Sequence, residues 1–437
     1  LVRRNYAYRI DPGQRREDVA EQVLHLLRDS IKTRLAARPQ ARVCVEISGG
    51  LDSSFIACLL GEQIPSGIRG VMFSQPQLPS HAISEQYARD VAERYGIELA
   101  VLPPEALPVG MPDAPGYSDE PSDFFWFGDI FSRAVAELAA PGSYVFTGFG
   151  ADQLFLRSPA FLPYLWRRKQ YRAFRDALPG ASHLLSRGQI SIARQCLLSQ
   201  MPAELHRRLQ RAWPFRGWNP WDVSDVNMER ALTSDVPWLR CGKSLADYSR
   251  ERDLNEAALV GDGIICDDWG YFAAPRAVTQ AHFSDKSLVD ASPFCDLPLL
   301  DYVYDRISAL LIHDFEGRYK ELLREAQKNI VPENLRNRQN DTFVFNSFQM
   351  AYIDASKDQL DDLFCDVEGT WIDVKAARLA LQQLSFGVVS SSTRSVMALL
   401  GYLRWRRMFL DRCRNPNAII DDEFFQARAA MTCRQGV

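Results

Sequence analysis

Val43-Cys44-Val45-Glu46-Ile47-Ser48-Gly49-Gly50-Leu51-Asp52-Ser53-Ser54 is the stretch that decides the fold. Val43 to Ile47 is short and β-rich, and Asp52 to Leu60 takes up helical character straight after it. Between them, two glycines let the backbone turn tightly and approach a phosphate closely. Ser48, Ser53 and Ser54 offer hydroxyl donors, and the start of the helix adds unpaired N–H groups at its positive dipole end. A basic side chain of the GxxxxGK[ST] type is absent, so the loop is of another kind. The ligand implied is a pyrophosphate, with Asp52 available to hold Mg2+ beside it. Ser-Gly-Gly alone would fit a plain turn capped by Asp52. The whole seven-residue composition, after a strand and before a helix, favours the phosphate loop.

Working outward, apolar residues at Val19, Val23, Leu26, Leu27, Ile31 and Leu35 form the stripe of an amphipathic helix over Asp18–Leu35. Further strands are expected at Gly70–Phe73, Glu98–Leu102 and Tyr144–Thr147, and helices at Ser84–Tyr95 and Phe124–Ala139. Strand and helix alternate four times, which predicts an α/β fold with a doubly wound, mostly parallel sheet. Ligands of such sheets sit at the carboxyl ends of strands where the strand order reverses, so the loops after Ile47 and Thr147 are where chemistry is expected. Beyond Leu156 strand signals are sparse. The organisation expected is an α/β nucleotide-binding core over residues 1–155, with a predominantly helical region, 156–437, packed on it and completing the cleft. A Trp- and Pro-rich stretch, Trp213 to Trp238, interrupts the helical region as an irregular excursion.

The composition excludes several classes. The 51 Lys and Arg nearly balance the 55 Asp and Glu, so nothing pushes the chain globally towards nucleic acid or an anionic membrane. No apolar run approaches the roughly 18 residues of a membrane-spanning helix. The chain opens on Leu1 rather than Met, which suggests an upstream continuation. Nine dispersed cysteines form no CxxC pair and read as reduced thiols of a cytoplasmic protein. The six histidines, His25, His81, His183, His206, His282 and His313, never cluster at metal-ligand spacing.

Ser48–Ser54, SGGLDSS, resembles the SGGxDS signature of the ATP-pyrophosphatases, and of the asparagine synthetase family in particular. Three more stretches resemble that family in the same order. Thr147–Phe155 is similar to its SGEGADELF, Ser292–Asp296 to its PFLD, and Lys320–Ala326 to its KxLLRxA, followed by Pro332 and Arg338. The resemblance implies ATP and Mg2+ as cofactors, and Ser48, Gly49, Gly50, Asp52, Ser53 and Ser54 as the grip on the pyrophosphate. It implies Asp52 and Asp152 as metal ligands, Gly148 as lining of the nucleotide and substrate cleft, and Lys320 as the residue that stabilises charge on the acyl-adenylate or on the tetrahedral species. Chemically these roles cohere, because attack on the α-phosphate builds negative charge that a metal and an ammonium offset.

The chain also departs from the family. Phe149 and Gln153 replace the two glutamates of GEGADE, Ala291 replaces an Arg that often precedes PFLD, and Ser84-Glu85 stands where Asp-Glu is usual. Phe149 has no group with which to move a proton. In β-lactam synthetases a Tyr stands there, and in those enzymes and lasso-peptide cyclases an amine of the substrate itself attacks the adenylate. The expected function is therefore an AMP-forming amide ligase that adenylates the carboxylate of a small molecule or peptide for attack by an intramolecular amine. Two alternatives stand beside it: a glutamine-dependent asparagine synthase whose glutaminase domain lies upstream or on a partner, and a catalytically degenerate nucleotide-binding module. Glu204, Glu229 and Asp235 are acidic residues of the helical half, and their spacing singles none of them out as a general base.

Overall fold

The computed structural model describes residues 9–74, 79–103, 127–156, 161–185, 187–198, 283, 286–338, 357–365, 372–385, 399–403 and 406–407. Helix α1 (Arg16–Ala37) leads into β1 (Val43–Glu46), the turn and α2 (Leu51–Gln63). Then follow β2 (Ile68–Phe73), α3 (Pro79–Tyr95), β3 (Glu98–Leu102), α4 (Phe127–Leu138) and β4 (Tyr144–Phe146). Every element read from the sequence up to Thr147 is present, with ends displaced by a few residues.

The strands form one sheet in the order β3-β2-β1-β4-β5, and every pairing is parallel. Helices cover both faces. Val43, Val45 and Ile47 turn to one side and pack in the core with α1, α2 and α3. Cys44, Val71 and Val145 turn to the other and pack against Val135, Ala136 and Ala139 of and beside α4. Burial on both faces is why β1 and β4 read as nearly unbroken apolar runs. From β1 the chain winds outward to β3 and then crosses to β4 on the other flank, so the order reverses between β1 and β4. A crevice opens there at the carboxyl edge.

Sequence pattern did not disclose the fifth strand. β5 (Val289–Ala291) lies far beyond residue 155 and pairs with β4 at Tyr144↔Val289 and Phe146↔Ala291. Three residues with Asp290 in the middle are too short for periodicity to mark. The second half is helical around it. α5 (Ala151–Phe155), α6 (Phe161–Arg167), α7 (Tyr171–Leu185) and α8 (Gln189–Leu198) precede β5. α9 (Leu297–Arg306), α10 (Ala309–Ile312), α11 (Glu321–Ala326), α12 (Glu333–Arg336), α13 (Lys357–Cys365) and α14 (Val374–Ser385) follow it. Residues of α6, α7 and α8 build a satellite core with Ala309 and Phe315, while α13 and α14 pack with Ala134 of α4. The tryptophan stretch 213–238, Glu204, Glu229 and Asp235 lie outside the described residues. No described helix is long and apolar enough to cross a membrane.

Gly49 has φ +68°, and a Cβ there would come within 1.9 Å of the Ser84 carbonyl oxygen on α3. Gly142 has φ +77° with nothing within 4 Å of its virtual Cβ. Gly142→Ala should therefore cost about 1 kcal/mol, the left-handed penalty alone. Gly49→Ala should cost clearly more, because two backbones collide. Urea denaturation of both variants checks the order.

Candidate active site

The turn after β1 is shaped first by its own hydroxyls. The Ser48 N–H donates to Ser53 Oγ at 2.9 Å, the two serine hydroxyls lie 2.8 Å apart, and the Gly50 N–H donates to Ser48 Oγ at 3.2 Å. Ser48 stays exposed and Ser53 is mostly covered. Ser54 is wholly buried, and its Oγ has no hydrogen-bond partner among the described residues. Its hydroxyl is therefore closed off from solvent, unlike that of Ser48. Gly50 caps α2, which places Asp52 in its first turn.

The turn after β4 is pressed onto this one. A Cβ at Gly148 would lie 2.5 Å from the Ser53 nitrogen, so only glycine permits the approach. Gly150, at φ +98°, then swings the chain into α5 and sets Asp152 in its first turn. The third contributor comes from the far end of the chain. Lys320 sits in the left-handed region (φ 55°, ψ 41°) just before α11 and is 3% exposed. Its Nζ lies 2.5 Å from Asp52 Oδ2 and 2.6 Å from Asp152 Oδ1. The Tyr319 hydroxyl donates to Asp152 Oδ1 at 3.4 Å, and the Tyr319 ring lies 5.0 Å from the ammonium. Burial by itself would lower the pKa of Lys320, but Asp52, with Tyr319 and Asp152, more than reverses this and the net shift is upward. Lys320 therefore stays an ammonium.

Two arginines and a glutamine hold the assembly from beneath, and their roles were not legible in the motif. Arg324 is fully buried and donates to three carbonyls: Tyr319 at 2.7 Å, Arg338 at 3.0 Å, and Arg336. Arg338 in turn donates to the Gly49 carbonyl at 2.6 Å, and Gln327 to that of Leu51 at 3.1 Å. The planar guanidinium, with donors fanned in fixed directions, suits a site where three backbone carbonyls converge. The sequence signal is the place of Arg324 in the KxLLRxA stretch, with Arg338 following it.

Not every matched motif supplies the site. Asp296 forms a two-pronged ion pair with Arg34 of α1, at 2.6 and 2.5 Å, and so ties the segment after β5 to the core. Glu85, of the Ser84-Glu85 pair, accepts from Ser74 at 2.9 Å and from Arg89. Phe149 is held through its backbone: its N–H donates to Thr147 Oγ1 at 3.3 Å. Burial pushes the thiols of Cys44, Cys58 and Cys196 up to about 12, so these are inert core residues. His313 is buried, stacked 4.7 Å from Phe161, and burial lowers its pKa to about 3.

Among the described residues, no group of three or more His, Cys, Asp or Glu could hold a metal. Asp52 and Asp152 nevertheless suit Mg2+, which is commonly bound by one or two carboxylates and completed by substrate phosphates and water. Both carboxylates already reach one cationic nitrogen, so a cation between them is compatible with their spacing.

A parallel sheet with a glycine turn at the start of α2, Asp52 in the first turn of that helix and Asp152 in the first turn of α5, defines a nucleotide-binding fold of the ATP-pyrophosphatase type. The asparagine synthase family model matches residues 22–407. The chain belongs to that family and is an ATP-dependent ligase of the asparagine synthase type. Comparison with curated proteins finds no match.

Removing the ammonium leaves two carboxylates facing each other. Lys320→Met should cost about 3 kcal/mol, or somewhat less because Asp152 is largely exposed. Millimolar MgCl2 should raise the Tm of this variant more than that of the wild type, since the ammonium no longer competes for the carboxylates. Scanning calorimetry with and without Mg2+ reads both effects.

Glu46, the last residue of β1, has its pKa raised to about 7 by burial and by Asp290. The folded state thus holds a proton that the unfolded chain releases from about pH 4.5 upward, so the residue destabilises the fold progressively between pH 4.5 and 7. Glu46→Gln should melt above the wild type at pH 8, with the gap closing towards pH 4.

Proposed function

We propose that this ligase is AMP-forming and closes an amide within one substrate. A carboxylate of a natural product or modified peptide attacks the α-phosphate of ATP, pyrophosphate leaves, and an amine of the same molecule displaces AMP. The observation that carries the reading is the meeting of Asp52, Asp152 and Lys320 beside the first turn of α2, which the glycine turn opens.

In this reading the N–H groups of the turn and of the first turn of α2 bind the pyrophosphate end of ATP. Asp52 and Asp152 would hold Mg2+, which when bound offsets the charge that gathers on the leaving pyrophosphate. Lys320, permanently charged and nearly sealed from water, acts as a preorganised electrostatic group rather than as a proton carrier. Gly148 lets the β4 turn come close enough to form the other wall of the cleft. The first 155 residues hold the nucleotide, and the helical region from 156 onward, which supplies Lys320 and Arg338, closes over it. Binding energy is spent on setting the carboxylate in line with the α-phosphate. We place the enzyme in the cytoplasm, where ATP and reduced thiols are available.

Phe149 and Gln153 support an amine other than the ammonia that the family's glutamates serve. Ammonia from a glutaminase domain upstream or on a partner is the competing reading, and it draws on the family match itself. A nucleotide-binding module without turnover is the third reading, and the same two substitutions are what favour it.

ATP–pyrophosphate exchange separates these readings. The panel is L-aspartate, L-glutamate and linear peptides that carry an internal Asp or Glu and a free amine. Mg2+-dependent exchange is expected with at least one peptide, and Lys320→Met should slow it about 100-fold. Exchange with aspartate alone, followed by ammonia-dependent product, supports the glutaminase reading. Tight ATP binding with no exchange supports the inert module.

A further inference from the structure

We propose that Glu46 is the general base of the amide-forming step, receiving the attacking amine at the carboxyl edge of the sheet where Phe149 leaves the β4 turn without a carboxylate. The inference rests on the amide-ligase reading and adds to it the residue that handles the nucleophile.

A glutamate is out of place at this position. β1 is the central strand, hydrogen-bonded to β2 and to β4, in a sheet covered on both faces. Such strands are apolar along their length, and a charged residue inside one burdens the fold unless it is paired. Among the described residues, no hydrogen bond or ion pair engages the Glu46 carboxyl. A Val or Leu would serve the core better, so its presence calls for a reason other than packing.

The register says where the carboxyl stands. Glu46 pairs with Val71 on β2, and on the other side it lies one step beyond the Val45↔Phe146 pair, beside Thr147. Neighbours in register share a face, and this face is the one opposite Val45 and Ile47. On it the Thr147 hydroxyl lies 3.0 Å from that of Ser292, which donates to Asp290 at 3.4 Å. Glu46, Thr147 and Ser292 thus stand side by side on one face at the carboxyl ends of β1, β4 and β5. Phe149 is bound to the same row through its N–H on Thr147. A carboxylate is lacking from the β4 turn at Phe149, and the neighbouring strand carries one at Glu46, level with Thr147.

The charges around it suit an incoming amine. Asp290 on β5 raises its proton affinity, and Cys44, two residues back on the same face, is a neutral thiol. Val71 and Thr147 bring no charge, and Arg69, further back on β2, acts on Cys44. With its pKa raised to about 7, the group can hold or release a proton near neutrality, as a general base requires. In the step itself, the amine enters in its neutral form and its lone pair attacks the acyl carbon of the adenylate. The C–N bond forms, the bond from that carbon to the phosphate oxygen breaks, and AMP leaves with the electron pair. The proton lost by nitrogen passes to Glu46.

The test uses the full chain, the exchange panel above, and mass-spectrometric detection of the dehydrated product. Glu46→Gln should slow product formation at least about 100-fold while exchange stays within about threefold. The acidic limb of the wild-type product rate, near pH 7, should vanish in Glu46→Gln and shift but persist in Glu46→Asp. Near-wild-type product formation by Glu46→Gln overturns the proposal alone. Loss of exchange in step with product also overturns it, since the residue would then serve the nucleotide or the fold. If the wild type exchanges with no member of the panel, the ligase reading itself falls and takes this inference with it.

Discussion

One buried ammonium ties the site together. Lys320 joins the helix after β1 to the turn after β4, and it comes from a segment more than 160 residues beyond either. A lysine this enclosed needs both carboxylates, and two carboxylates this close need a cation. The constraint explains the geometry around it: the left-handed backbone of Lys320, the glycine that lets β4 approach Ser53, and the three-carbonyl grip of Arg324. Each costs free energy locally, and each makes sense as support for one charge constellation.

The support is itself layered. Arg324 orders the backbone on both sides of α11 and at Arg338, and Arg338 then reaches the carbonyl of Gly49. The nucleotide turn is thus braced from below by the same stretch that delivers Lys320. Disturbance of this stretch would reach the turn and the ammonium together, without any change in the residues facing a ligand.

Much of this was legible in the sequence, for physical reasons. The SGGLDSS turn stands out because close backbone approach needs glycine, and the four early strands because burial on both faces makes them apolar. Asp52, Asp152 and Lys320 could be named from motifs, but not their meeting point. β5 escaped notice because its three residues carry an aspartate and its pairing partner is remote in sequence. Ser54 shares the motif with Ser53, but motif position does not say that its side chain is wholly buried. Asp296 belonged to a matched motif and proves to be an ion-pair partner of α1. Glu46 sits inside a run whose β-character masks it, yet a carboxylate in a central parallel strand is an anomaly.

The late arrival of β5 has a consequence for biogenesis. On the ribosome, β1 to β4 can associate long before Val289 is made, and until then the outer side of β4 is a bare row of peptide groups. During that interval the nascent sheet is open to mispairing with other chains, and completion waits on a contact of very large sequence separation. Production of the protein should accordingly depend more on chaperones and on the pace of translation than the depth of its finished core suggests.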